Sequence, residues 1–285
     1  SCAVADTELE EALAMAKAGH AVDQTDVAAR YESGRGVPQN DQQALFWYTK
    51  AAVQGYAEAQ YNLGVMYATG QAIPQDYAQA VNWYTKAAGQ GYAQAQYNLG
   101  VMYAQGQGIP RNGLLAVQWL TRAAEGGNAS AQYILGAMYE KGEDVVEDDK
   151  QAADWYSKAA EQGVAKAQYA LGAMYDSGTG VAQDGQQALH WYTAAAEQGN
   201  ADAPYPLSLL LSEGRLVPAD NKQAFMWAVV AAADEGEEAV RNRDSIAAEL
   251  SDQEIDEAQK MADAMLETIK TNQTEEKNRA AARQD

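Results

Sequence analysis

The chain holds few side chains suited to catalysis. It has two histidines, His20 and His190, and one cysteine, Cys2. His190 stands in a position that recurs every 36 residues as Phe46, Asn82, Gln118, Asp154 and Met226. A position that accepts all of those is a surface position, not a general base. His20 falls almost a full chain length away, so a Ser-His-Asp or Cys-His arrangement has no expected assembly. Nor do two distant histidines and a terminal cysteine supply a zinc site. The acidic run from Glu143 to Asp149 lacks the alternating ligands and central glycine of a calcium loop. Gly34-Arg35-Gly36 and Gly106-Gln107-Gly108 lack the strand and lysine of a phosphate loop. No catalytic residue, metal or cofactor is expected.

Bulk properties narrow the partner. The formal charge is -20 and the pI near 4.4. Nucleic acid is bound through Lys and Arg on phosphates, so a polyanion is a poor fit. An anionic bilayer is disfavoured on the same ground. At 47% hydrophobic residues the chain can bury a large core. No run reaches the length of an apolar membrane span. Ser1-Cys2-Ala3 looks like the end of a bacterial lipoprotein cleavage box, which makes Cys2 a candidate lipidation site and the periplasm the expected location. Membrane contact is expected only through that anchor.

Repeats organise the rest. All six tryptophans, Trp47, Trp83, Trp119, Trp155, Trp191 and Trp227, are spaced by 36 residues. Alanines from Ala44 to Ala224 lie three before each tryptophan, and glycines from Gly55 to Gly199 eight after. Residues 55–68 and 91–104 differ only at Glu58 against Gln94. Each unit reads as two helices. The first, 57–69, puts Ala59, Leu63, Met66 and Tyr67 on one face. The second, 76–89, does the same with Ala80, Trp83, Ala87 and Ala88. The indole is expected to fill the gap between close-packed alanines, with a truncation cost of roughly 3–5 kcal/mol. Gly64, Gly100, Gly136 and Gly172 fall inside the first helices, where glycine costs about 1 kcal/mol relative to alanine. A helix crossing with no room for a Cβ is the expected reason.

The predicted fold is all-α, a single right-handed α/α superhelical solenoid over 1–270 with degenerate caps. A starting helix is predicted over 6–18. A capping box at Ser251-Asp252-Gln253-Glu254 opens a closing helix over 252–270, and 271–285 is predicted to be a frayed polar tail.

The recurring A-x-A-Q-Y-x-L-G-x-M-Y-x-x-G, followed by A-x-x-W-Y-x-K-A-A-x-Q-G, resembles the Sel-1-like repeat family, relatives of the tetratricopeptide repeats. The pattern stands in full from Ala57 to Gly91 and covers about residues 20–236. The resemblance implies a non-enzymatic adaptor with a concave groove, binding a protein partner and no small-molecule substrate. Some members are lipoproteins that act as immunity proteins against type VI secretion phospholipase effectors. Others are signalling regulators or host-protein binders. A branch linked to penicillin binding carries a disulfide in each repeat. Those cysteines are missing here, so that activity is not carried over.

By analogy with tetratricopeptide arrays, the first helices line the groove. Its expected contacts are Tyr61, Val65, Tyr97, Val101, Tyr133, Glu140, Tyr169 and Asp176. The apolar end and charged middle suit a partner with an apolar anchor and a basic segment, a toxin-type effector or a signalling protein among the alternatives. Tyr56 and Tyr92, in turns, are expected to form a second, exposed patch.

Overall fold

The computed structural model describes the backbone of residues 2–234 and 236–284, and the side chains of 9–233, 236–275, 277 and 278. Among the described residues there is helix and no strand. A starting helix, α1 (Cys2–Ala18), precedes six helix pairs. These are α2 (Ala21–Ser33) with α3 (Asp41–Val53), α4 (Ala57–Thr69) with α5 (Tyr77–Gly89), and α6 (Ala93–Gln105) with α7 (Gly113–Glu125). Then come α8 (Ala129–Lys141) with α9 (Asp149–Glu161), α10 (Ala165–Ser177) with α11 (Gly185–Glu197), and α12 (Pro204–Glu213) with α13 (Asn221–Ala231). Helices α14 (Glu237–Ala247) and α15 (Asp252–Gln284) close the chain. Two compact units, 1–131 and 132–280, divide inside α8.

Local chemistry punctuates every repeat alike. Asn40, Asp76, Asn112, Asp148, Asp184 and Asp220 precede the second helices, and each side chain accepts a backbone N–H from the first turn. Gly70 ends α4 at φ 79°, a left-handed conformation that glycine adopts without the penalty of a Cβ.

A glutamine ladder joins neighbouring repeats. Buried Gln60 donates its amide to Ala52 O at 3.1 Å and accepts from Gln90 Nε2 at 2.8 Å. Gln24 repeats the motif with Ala16 and Gln54, and Gln168 with Ala160 and Gln198. Each buried amide thereby satisfies a helix-end carbonyl that would otherwise be orphaned.

The mid-helix glycines sit at the crossing of the two helices in a repeat. A Cβ on Gly64 would lie 2.7 Å from the Tyr84 ring, and on Gly136 2.5 Å from the Tyr156 ring. At Gly100 and Gly172 the obstacles are Leu120 and Tyr192, each at 2.8 Å. The end repeats relax this rule: Ala28 and Ser208 take the glycine slot, and Ala228 takes the aromatic one.

This crossing corrects the expected role of the tryptophans. The residue in the core is the one after each tryptophan: Tyr48, Tyr84, Leu120, Tyr156 and Tyr192 are all buried. Trp83, Trp119, Trp155 and Trp191 are only half-buried. Their ring faces are instead covered, in three of these four cases, by a cation one turn on: Lys86 at 3.9 Å, Arg122 at 4.6 Å and Lys158 at 4.0 Å. Only Trp47 and Trp227 are buried.

Both terminal helices run past their expected limits. Helix α1 begins at Cys2 instead of residue 6, and the Cys2 side chain lies outside the described residues. Helix α15 does not end at 270; it continues to Gln284. The extension has a tertiary cause, because Asn272 donates to Glu197 O at 2.9 Å and Gln273 to Gly199 O at 3.4 Å. The segment beyond is also rich in Glu, Lys, Arg and Ala, all good helix formers.

Two truncations separate core from cover. Tyr84→Ala is expected to cost roughly 3–5 kcal/mol, as for other buried aromatics, and Trp83→Ala clearly less. Urea midpoints of the two variants check the order.

Candidate protein-interaction face

The expected groove residues fall on one side of each first helix, and six of the eight make identified contacts with the packing around them. Tyr61 and Val65, with Tyr67 and Ala68, lean on the core of α5 and α6. Tyr61 lies 5.8 Å from the ring of Tyr84 and 5.1 Å from that of Tyr92. In the second unit Tyr133 sits 5.8 Å from Tyr156, and Tyr169 5.9 Å from Tyr192. Tyr97 and Val101 are half-buried like the rest, and the slot that supplies a facing ring in the other repeats holds Leu120 in theirs. These tyrosines thus serve the helix pairs with one side and offer the other to solvent.

The acidic positions have an internal role that helix spacing does not reveal. Burying tyrosine at the crossing also buries its hydroxyl, which needs an acceptor. Glu140 accepts from Tyr156 OH at 2.6 Å, and Glu32 from Tyr48 OH at 2.8 Å. Asp176 pairs with Tyr192 in the same way. Where the acidic slot holds Ala68, Tyr84 uses Asn98 of the following repeat instead. Where it holds Ala104, the core residue is Leu120 and no hydroxyl needs a partner. An acid in this slot always answers a core tyrosine, and alanine stands where the core residue has no hydroxyl or finds its partner elsewhere.

Tyr56 and Tyr92 are not the exposed patch expected of turn residues. Both are half-buried, packed against the cores of their own units. Tyr92 is held by its ring contact with Tyr61, and the Tyr56 hydroxyl lies 3.4 Å from Glu58. Among the described residues, no three His, Cys, Asp or Glu side chains gather as a metal site, and no helix is long and apolar enough to cross a membrane.

The Sel1 repeat family model matches residues 21–56, 57–92, 93–128, 129–164, 165–200 and 202–234, six consecutive helix pairs. The chain belongs to the Sel1 repeat family. Among solved structures it is similar to c5321, a protective antigen of uropathogenic Escherichia coli with an SLR fold, at 35% identity and TM-score 0.79. That match covers 90% of this chain, which spans 56% of the c5321 chain. A Sel1 repeat protein from Oxalobacter formigenes is 36% identical over 75% of this chain and 85% of its own, at TM-score 0.64. The Pseudomonas aeruginosa immunity protein PA5088 is 26% identical over 79% of this chain and 82% of its own, at TM-score 0.45, a loose superposition. No curated protein matches the sequence. The Sel1 solenoid is a protein-interaction fold, and its members are in general non-enzymatic scaffolds.

In this Sel1 array the tyrosine–carboxylate pairs carry a pH signature. Burial, reinforced by the adjacent carboxylates, pushes Tyr48, Tyr156 and Tyr192 far above the ordinary 10.0; burial does the same for Tyr84. The unfolded chain releases these protons near 10.0 while the folded chain keeps them. Stability is therefore complete below that pH and falls as pH rises through and beyond it. Tyrosinate absorbance at 295 nm should rise in two phases, the second together with loss of helical circular dichroism. A single phase near pH 10 with the helices intact would contradict the burial assignment.

Proposed function

We propose that this Sel1 repeat protein is a non-catalytic binding module whose first-helix face receives a protein partner carrying a basic segment. The observation that carries the reading is the state of Glu140 and Asp176. Each carboxylate is held by a tyrosine hydroxyl anchored in the core. An anion fixed in advance loses little side-chain entropy when a cationic group docks on it. Half-buried tyrosines beside them, Tyr133 and Tyr169, add area with few rotors to freeze. The chain's charge of -20 steers basic surfaces toward it. The first unit carries an apolar version of the same face on its own first helices, with Tyr61, Val65, Tyr97 and Val101.

The bacterial periplasm, with Cys2 as a lipid anchor, belongs to this proposal as the setting. Cell fractionation and intact mass of the native protein test it. An immunity role is the narrower form of the same reading, with a secreted toxin as the partner.

Glu140→Gln with Asp176→Asn tests the charge without disturbing the packing, because both amides still accept from Tyr156 and Tyr192. The partner that co-purifies with the wild type from its native cell is identified by mass spectrometry and titrated against both proteins. The variant should bind at least about tenfold more weakly and with a shallower salt dependence. A partner bound equally by both would move the site off this face. A lipase-type effector as that partner would establish the immunity role, whereas a regulator or host protein would exclude it.

A further inference from the structure

The second helices carry a different regularity. In four of the six repeats the residue three after the tryptophan is a cation; Lys86, Arg122 and Lys158 lie over the half-buried Trp83, Trp119 and Trp155, whereas Lys50, beside the buried Trp47, lies closer to the Phe46 ring, at 4.6 Å against 5.4 Å. Two forces hold it there. The ring face is electronegative, and the position is the last turn of the helix, where the helix dipole favours positive charge. Each of these four helices has that residue as its last-turn cation.

Two repeats depart from the rule, for different reasons. At Trp227 the slot is Val230, and the indole is 3% exposed, so a cation has nothing to cover. At Trp191 the slot is Ala194, and helix α11 has no basic residue in its last turn. Trp191 is nevertheless half-buried like Trp83, Trp119 and Trp155. Along the adjoining face of α11 runs a shallow, open cavity of about 290 Å³, lined by Gln186, Leu189, His190, Thr193, Ala194 and Glu197; the indole is not part of its wall, and Ala194 and His190 stand between the two. His190 meets the indole edge-on at 4.7 Å. Glu197, three residues after Ala194, is exposed and supplies a countercharge.

We infer that the Ala194 cavity on α11 is a docking point for a lysine or arginine side chain of a protein partner. The rest of the chain identifies the occupant, because four equivalent positions fill the same slot with an ammonium or guanidinium group of their own. At Ala194 that group has to come from outside. The cavity leaves room beside Ala194, and the half-buried indole, which has no cation of its own in that slot, the negative helix end and Glu197 select a positive charge for it. This inference does not rest on the first-helix face, and it survives if that reading fails.

The full chain, labelled with nitrogen-15 at the indoles, tests it. Its probe is Nα-acetyl-argininamide, with the neutral isostere Nα-acetyl-citrullinamide as control, and the Trp191 signal is assigned by Trp191→Phe. The arginine probe should shift the Trp191 indole resonance saturably, and the citrulline probe should not. Ala194→Lys, which places there the lysine that three sister repeats carry, should abolish the shift. Glu197→Gln should weaken it about two- to fivefold. An unmoved Trp191 signal, an equal response to citrulline, or a response that survives Ala194→Lys would overturn the assignment.

Discussion

The middle repeats depend on a helix crossing too close for a Cβ. Glycine at positions 64, 100, 136 and 172 lets a large residue of the facing helix lie directly on the backbone. Glycine is a poor helix residue, so the arrangement persists only because the contact it permits is worth more than the propensity it forfeits. Three of the four large residues are tyrosines, and their buried hydroxyls impose a second requirement. Each must find an acceptor, and the acceptor must reach it from a neighbouring helix. Packing in the core thereby decides the chemistry of a surface position 16 residues away.

That link explains why scaffold and binding face are hard to separate in this protein. Glu140 is at once a structural acceptor for Tyr156 and an exposed anion. Changing it to lysine would strand a hydroxyl as well as reverse a charge, so such a variant would confound folding with binding. The isosteric amides keep the two apart. The glutamine ladder has a comparable double character, since the bond that satisfies a helix-end carbonyl of one repeat also fastens the next repeat to it, and the bond between glutamines joins the two helices of a pair. Membership in the Sel1 family accounts for the pairs of helices; the individual tyrosines, carboxylates and cations give this array its own surface.

Much of the fold was legible in the sequence because a period of 36 repeats its evidence six times. The helix pairs, the glycine ends and the crossing at Gly64 could all be read from slots that hold through the middle repeats. Choosing between Trp83 and Tyr84 as the core residue could not. Adjacent residues on a helix point about 100° apart, and the tryptophan column is the more regular of the two, with Leu120 and Ala228 interrupting the other. Periodicity shows that a position matters without showing whether it faces the core or a lysine. The pairs Glu140–Tyr156 and Tyr61–Tyr92 join different helices, and nothing local marks them. One partial signal was available: acid in the 140 slot always accompanies tyrosine in the 156 slot and Ala104 accompanies Leu120, but Ala68 accompanies Tyr84, whose partner Asn98 lies in the next repeat. The length of α15 was hidden for a similar reason, since Asn272 and Gln273 find their partners 75 and 74 residues back.

The most direct measurement is the stability of Gly136→Ala by urea denaturation, with Gly89→Ala as the control. Gly89 ends α5 in open space, and a Cβ there meets nothing within 4 Å. If the crossing governs the fold, Gly136→Ala loses about 1–3 kcal/mol through overpacking against Tyr156, although alanine is the better helix former, while the control is neutral or gains. A Gly136→Ala variant stabilised by the roughly 1 kcal/mol that helix propensity alone would give contradicts the account.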